Sequence, residues 1–219
     1  MKKITVVTGH YGSGKTNLSV NLAVKARSNA SKNAAVVDLD IVNPYFRAAD
    51  FRELFEKSGI TFIAPDFANT NLDIPSLQFD LARLAESYDN LIVDVGGDDA
   101  GAFALGRFSG ELNAYCDVEM LYVINQRRFL TQTAEEAVEL MYEIERASRM
   151  KHTAIVNNTN LGIETTAQII EQSEGFALEV SRKTGLPIKF TACSEELCEQ
   201  VNAKNILPIK IYVRPIWDK

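Results

Sequence analysis

Short runs of Val, Ile and Leu alternate along the chain with longer stretches in which apolar side chains return every three or four positions. Strands are expected at Ile4 to Thr8, Ala35 to Leu39, Thr61 to Ala64, Asn90 to Val95, Met120 to Asn125, Thr153 to Asn157 and Ile188 to Thr191, with an edge strand at Ile209 to Val213. Several of these are unbroken apolar runs, as suits strands covered by helices on both faces. Between them, Leu18, Leu22 and Ala26 keep helical spacing, as do Ala134, Val138, Met141 and Ile144. Further helices are expected at Ser76 to Tyr88, Ala100 to Tyr115 and Thr165 to Thr184, the last closed by Gly185 and Pro187. Strand and helix in regular succession predict an α/β fold, a doubly wound, mostly parallel sheet with helices on both faces. No repeat and no Pro-, Gly- or Ser-rich linker interrupts it, so residues 1–219 read as a single nucleotide-binding domain once the motifs below are considered.

Composition narrows the function classes. With 219 residues, 46% hydrophobic and 24% charged, the chain has the profile of a compact globular protein. The apolar run after Lys2-Lys3 stops within a few residues and has no small-residue cleavage site, so it reads as a strand and not as a leader. No run approaches the ~18 apolar residues of a membrane span. Three cysteines, Cys116, Cys193 and Cys198, without CxxC spacing suggest neither a disulfide framework nor a zinc ribbon, which fits a reducing cytoplasm. A net charge of −6 argues against a nucleic-acid partner, and the basic pairs Lys2-Lys3, Arg127-Arg128 and Arg182-Lys183 read as solvated faces.

The chemistry is concentrated in Gly9-His10-Tyr11-Gly12-Ser13-Gly14-Lys15-Thr16, which matches GxxxxGK[ST] between the first strand and the first helix and runs on into Asn17. Glycines there let the backbone turn its N–H groups onto phosphate oxygens, and the helix that follows adds its positive end. Lys15 should reach the β- and γ-phosphates and the Thr16 hydroxyl should sit on Mg²⁺.

Two acidic strand ends are candidates for the metal and the attacking water. In Leu91-Ile92-Val93-Asp94-Val95-Gly96-Gly97 the apolar run ends in Asp94, a Walker B arrangement, and Gly97 stands where a DxxG segment offers its N–H to the γ-phosphate. Asp98 and Asp99 read as caps for the next helix. In Val36-Val37-Asp38-Leu39-Asp40, period two puts both carboxylates on one face, where Asp38 could support the magnesium shell and Asp40 orient water, or both could belong to a solvated turn. Tyr45, Phe46 and Arg47 further on are either partner-facing switch residues or packing.

Together GHYGSGKT, DLDIVNPYFR, VDVGG and Ile155-Val156-Asn157-Asn158 resemble the MinD/ParA/CobQ-CobB group of P-loop NTPases, and most of all its small bacterial ATP-binding members. The resemblance implies Lys15 and Thr16 on phosphate and metal, Asp40 on the catalytic water, Asp94 in the metal shell and Asn157 on adenine. In much of that group the second loop residue is a lysine reaching across an ATP-sandwiched dimer; here it is His10, which either faces nucleotide or packs on the loop. The missing charge weakens that trans contact and leaves a homodimer open. Asn157-Asn158-Thr159-Asn160 lacks the Lys and Asp of an NKxD guanine motif, which favours ATP.

The leading expectation is an ATP- and Mg²⁺-dependent, slowly hydrolysing switch with a protein partner and neither a membrane nor a nucleic-acid partner. The alternatives are a phosphotransferase or ATP-dependent ligase of the dethiobiotin-synthetase kind, with Arg47, Arg127 and Arg128 holding an anionic substrate, and a nucleotide sensor that does not hydrolyse. In a metal-carrier reading, Cys193 and Cys198 fall on nearly opposite sides of a helix, which is poor chelation geometry.

Overall fold

The computed structural model describes residues 3–28, 32–40, 51–63, 80–114 and 117–212. Tyr45, Phe46 and Arg47, the segment 76–79 of the third expected helix, Cys116 and Val213 lie outside the described residues. The strands are β1 (Ile4–Gly9), β2 (Ala34–Leu39), β3 (Ile60–Ile63), β4 (Asn90–Val95), β5 (Val118–Ile124), β6 (Ala154–Asn157), β7 (Ile188–Ser194) and β8 (Ile206–Ile209). They form one eight-stranded sheet in the order β3-β2-β4-β1-β5-β6-β7-β8, and every neighbouring pair is parallel. The helices are α1 (Lys15–Arg27), α2 (Arg52–Ser58), α3 (Leu81–Ser87), α4 (Asp99–Gly106), α5 (Ser109–Ala114), α6 (Ala134–Ser148) and α7 (Ala167–Thr184).

The unbroken apolar runs are explained by a core on each face. Ile4, Val6, Val37, Leu91 and Val93 point into one core with Leu105 of α4, Met141 of α6 and Val180 of α7. Val7, Val36, Ile92, Leu121 and Val123 point into the other with Leu18 and Leu22 of α1 and Phe55 of α2. Successive residues of one strand thus serve opposite layers, and a polar residue in mid-strand would be buried whichever way it pointed.

The sheet order places the site. After β1 the chain runs out to β2 and the edge strand β3, returns to β4 between β2 and β1, then crosses to β5 on the other side, so β1 lies at the reversal. The crevice beyond the carboxyl end of β1 is where ligands bind in open α/β sheets.

Three expectations need correction. The single helix from Ala100 to Tyr115 is two helices, because the Gly106 carbonyl that would continue the ladder is taken by the Arg149 guanidinium and the Ser109 hydroxyl. The edge strand is Ile206–Ile209 instead of Ile209 to Val213; it carries Pro208, whose missing N–H an edge tolerates. Helix α2 had no counterpart among the expected elements; it is seven residues long and closes on Gly59 at φ 64°. Asp98 does cap α4, accepting from the Gly101 N–H at 2.9 Å.

Candidate functional site

The loop from Gly9 to Gly14 joins β1 to α1, with positive φ at Gly9, Gly12 and Gly14. The closest packing is at Gly14 (φ 89°), the N-cap of α1, where a Cβ would overlap the Asn158 amide. Only glycine combines that backbone with that approach. Helix α1 begins without a side-chain cap and without an acidic residue in its first turn, so among the described residues no side chain caps its leading N–H groups against an anion. The Ser13 hydroxyl is buried with no hydrogen-bond partner among the described residues, an arrangement that costs about 1–3 kcal/mol unless a ligand completes it. These features fit a bound polyphosphate.

Lys15 is buried under this loop and donates from Nζ to the His10 carbonyl at 3.0 Å. Burial pulls its pKa down, while the charges of Asp94, Asp40 and Asp98 oppose the shift. Gly97 lies against the same atoms: a Cβ there would fall 2.6 Å from the Tyr11 nitrogen and 2.7 Å from Lys15 Nζ. Tyr11 itself is 57% exposed on the rim.

Asp94 ends β4 in register with Asp38 of β2, so two buried carboxylates stand side by side on neighbouring strands. Asp94 accepts from Ser19 Oγ at 3.0 Å and from the Thr16 hydroxyl. Burial raises its pKa to about 6 against the pull of Lys15, Thr16 and Ser19, with Asp40 adding to the rise. Asp38 Oδ1 accepts from the Asp40 N–H at 2.9 Å, which turns the chain just past β2. A Cβ on Gly96 would lie 3.1 Å from Asp40 Oδ1, so this carboxylate stands over the segment that follows Asp94. Side-by-side buried carboxylates repel unless a proton or a cation lies between them, and Thr16 brings a hydroxyl to the same place. The donor set suits Mg²⁺, a hard cation held by oxygen.

Two expected contacts, those of Asn157 and Asn17, are not as anticipated. Asn157 is fully buried: its Nδ2 donates to Ser173 Oγ at 2.8 Å, and its Oδ1 accepts from the Thr159 hydroxyl at 2.9 Å and the Thr159 N–H at 3.2 Å. A base would have to break these bonds to use it. Its neighbour Asn158 faces the loop instead, donating to the Ser13 carbonyl at 2.7 Å. The Asn17 side chain is given to the segment after β8, donating to the Lys210 carbonyl at 3.0 Å and accepting from the Tyr212 N–H at 2.8 Å. His10 is half-buried, and burial, then Lys15, lower its pKa below 6.5, which disfavours the charged imidazolium.

Cys193 and Cys198 do not share a helix. Cys193 is on β7, Cys198 on the turns that follow, and the two thiols meet; burial and that contact push the Cys193 thiol up to about 12. Among the described residues no three His, Cys, Asp or Glu side chains converge on a metal-sized site. His152 is a core histidine between Thr8 Oγ1, 2.8 Å from Nε2, and the Glu145 carboxylate.

Sequence reasoning missed Ser19, Asn158 and the position of Arg128. Arg128, from the loop after β5, donates from Nε to the Gly12 carbonyl at 2.8 Å. A serine one helical turn beyond the loop lysine was the available signal for Ser19.

No family model matches the chain. Among curated proteins it is 24% identical over 202 residues to the signal recognition particle protein of Buchnera aphidicola, spanning 89% of this chain and 40% of the length of that relative. Among solved structures it superposes on the cell division protein FtsY of Thermotoga maritima with a TM-score of 0.57, 23% identity and coverage of 88% of this chain and 62% of that one. FtsY of Mycoplasma mycoides gives a TM-score of 0.61 at 18% identity, over 89% and 61% of the two chains. The signal recognition particle 54 kDa protein of Aeropyrum pernix, solved in complex with GDP, gives 0.56 at 20%, over 86% and 40%. The fold is that of a P-loop NTPase. Its phosphate loop, acidic strand ends and all-parallel sheet agree with that assignment. Two of these similar proteins are named as signal recognition particle proteins and two as FtsY, and neither the MinD/ParA expectation nor the choice of ATP draws support from them. Among the described residues no helix is long and apolar enough to cross a membrane.

Proposed function

We propose that the chain is a Mg²⁺-dependent nucleoside-triphosphate switch that binds ATP, hydrolyses it slowly to ADP and phosphate, and presents the two states to a protein partner in the cytoplasm. One observation carries the reading: the buried Lys15, drawn by Asp94 and Asp40, under a glycine loop that leads into an uncapped helix. In this reading residues 1–219 form one domain. The backbone N–H groups of the loop and Lys15 hold the phosphates, and Thr16, Asp94 and the adjacent Asp38 hold the metal. Asp40 orients water, and the Gly97 N–H meets the terminal phosphate. Magnesium, when bound, neutralises charge on the β- and γ-oxygens. The motifs DLDIVNPYFR and GHYGSGKT support kinship with the MinD/ParA/CobQ-CobB group.

The segment after β6 bears on the choice of base. Guanine presents adjacent N–H groups that a carboxylate accepts, and Asn160 stands at the corresponding position with its amide in use, Nδ2 donating to the Asn158 carbonyl and Oδ1 accepting from Gly162. Adenine asks for no carboxylate there. GTP is the second reading, favoured by the likeness to the GDP-bound 54 kDa protein. The test is hydrolysis and binding of ATP and GTP with Mg²⁺, with Lys15→Ala alongside. Lys15-dependent ATP turnover supports the proposal, Lys15-dependent turnover of GTP alone moves it to the second reading, and no nucleotide binding refutes both.

A further inference from the structure

Helix α6 is preceded by a loop, residues 125–132, that is tied down at both ends. The Asn125 and Thr131 side chains are buried. Asn125 Oδ1 accepts from the Arg127 N–H at 2.9 Å, its carbonyl accepts from the Arg128 N–H at 3.1 Å, and Thr131 Oγ1 donates back to that carbonyl at 2.9 Å. From this braced turn the Arg128 side chain extends to the phosphate loop, where Nε–H donates to the Gly12 carbonyl. A Cβ on Gly12 would lie 3.4 Å from that Nε, so the guanidinium lies along the loop at van der Waals distance. The bond uses one of five guanidinium N–H donors, and among the described residues the other four have no protein acceptor. A permanent cation is thus held on the loop by a rigid support, with its fork unspent. The second loop position, by contrast, carries His10, whose charged form is disfavoured by burial and by Lys15.

We propose that Arg128 supplies, from within the same chain, the fixed positive charge on the terminal phosphate that the second loop position does not. The inference rests on the nucleotide reading above and gives it a specific consequence: the chain distinguishes triphosphate from diphosphate without a second copy. In hydrolysis a water oxygen bonds to the terminal phosphorus, and the bond to the bridging oxygen breaks. The electron pair leaves with the diphosphate and the proton of the water passes to solvent. The guanidinium exchanges no proton and acts through charge and its paired N–H groups.

The test is equilibrium binding of fluorescent ADP and of a fluorescent β,γ-imido triphosphate analogue to the full chain. It uses the wild type, Arg128→Ala, Arg128→Gln, Arg128→Lys and Lys15→Ala, with a thermal melt of each. Arg128→Ala and Arg128→Gln are expected to lose about tenfold or more in triphosphate affinity while diphosphate affinity changes less than threefold. Arg128→Lys, a point charge without the fork, is expected to fall between. Equal losses for both nucleotides would mean that Arg128 only braces Gly12, and this or an unchanged preference overturns the inference alone. A wild type that binds neither nucleotide, or binding indifferent to Lys15→Ala, overturns the nucleotide reading and this inference with it.

Discussion

Gly97→Ala isolates the role of a single close approach. Gly97 does not have a positive φ, so its backbone accepts alanine and the consequence is steric. The new methyl would sit 2.6 Å from the Tyr11 nitrogen and 2.7 Å from the Tyr11 Cα and from Lys15 Nζ, where ordinary contact begins at 3.4 Å. The lysine tip can swing aside, but the Tyr11 backbone is part of the loop and has to retreat by roughly 0.8 Å, at the ~1–3 kcal/mol typical of overpacking. If that strain falls on the loop geometry required by phosphate, triphosphate affinity drops by about 5- to 150-fold. Titration with a fluorescent triphosphate analogue measures this, with a thermal melt to confirm that the sheet persists. Gly175→Ala is the matched control: it lies inside α7 with no atom within 4 Å of the added methyl, so it should leave binding unchanged and raise stability by ~0.5–1 kcal/mol. Binding by Gly97→Ala within twofold of the wild type would refute the close-approach argument.

Other expected outcomes are independent of that one. Burial lowers the His152 pKa below 6.5 against the pull of Glu145, so the folded state resists protonation; its contribution to stability is full above about 6.5 and is lost as pH falls through the folded value. The wild type should therefore lose up to ~1.4 kcal/mol per pH unit, relative to His152→Gln, in urea unfolding below pH 6.5. Parallel curves for the two proteins would contradict this; His10 is present in both and cancels. The Cys193 thiol, raised to about 12, should stay unalkylated by iodoacetamide at pH 8 in the native protein and react on unfolding, which peptide mass spectrometry reads directly. Asn21→Ala removes two hydrogen bonds to the Lys210 backbone, at 2.8 and 2.9 Å and worth about 0.5–1.5 kcal/mol each, so trypsin should cut after Lys210 roughly tenfold faster.

Legibility followed burial. Strands β1, β2 and β4 fall within a residue of expectation because each is buried along its whole length and sits between two cores, leaving one structural option for such a run. At β8, an edge strand with few partners, the same reasoning misplaced the boundary by several residues. The segment from Ala100 to Ala114 reads as one helix, and what divides α4 from α5 is the capture of the Gly106 carbonyl by Ser109, three residues on, and by Arg149, far along the chain; the second capture leaves no local mark. The phosphate loop and both acidic strand ends were visible because their spacing follows from the chemistry of holding phosphate and a cation. Which of Asn157 and Asn158 faces the loop depends on the phase of β6, set by the Ser173 hydroxyl on α7. The Arg128 contact joins segments far apart in sequence and becomes visible only once β5 is laid beside β1.

The central place of β1 also dictates an order of events during synthesis. Ile4 finds its two neighbours only in Leu91 and Val118, so the earliest of these eight strands to be synthesised is among the last to be completed. Until β5 and β6 have emerged, the phosphate loop lacks the Arg128 and Asn158 contacts, and a nascent chain has little to offer a nucleotide. Closing such distant pairs is slow and exposes apolar strands meanwhile. A nucleotide that binds only the finished site would then favour the completed fold by mass action, withdrawing the newborn chain from the pool that chaperones inspect.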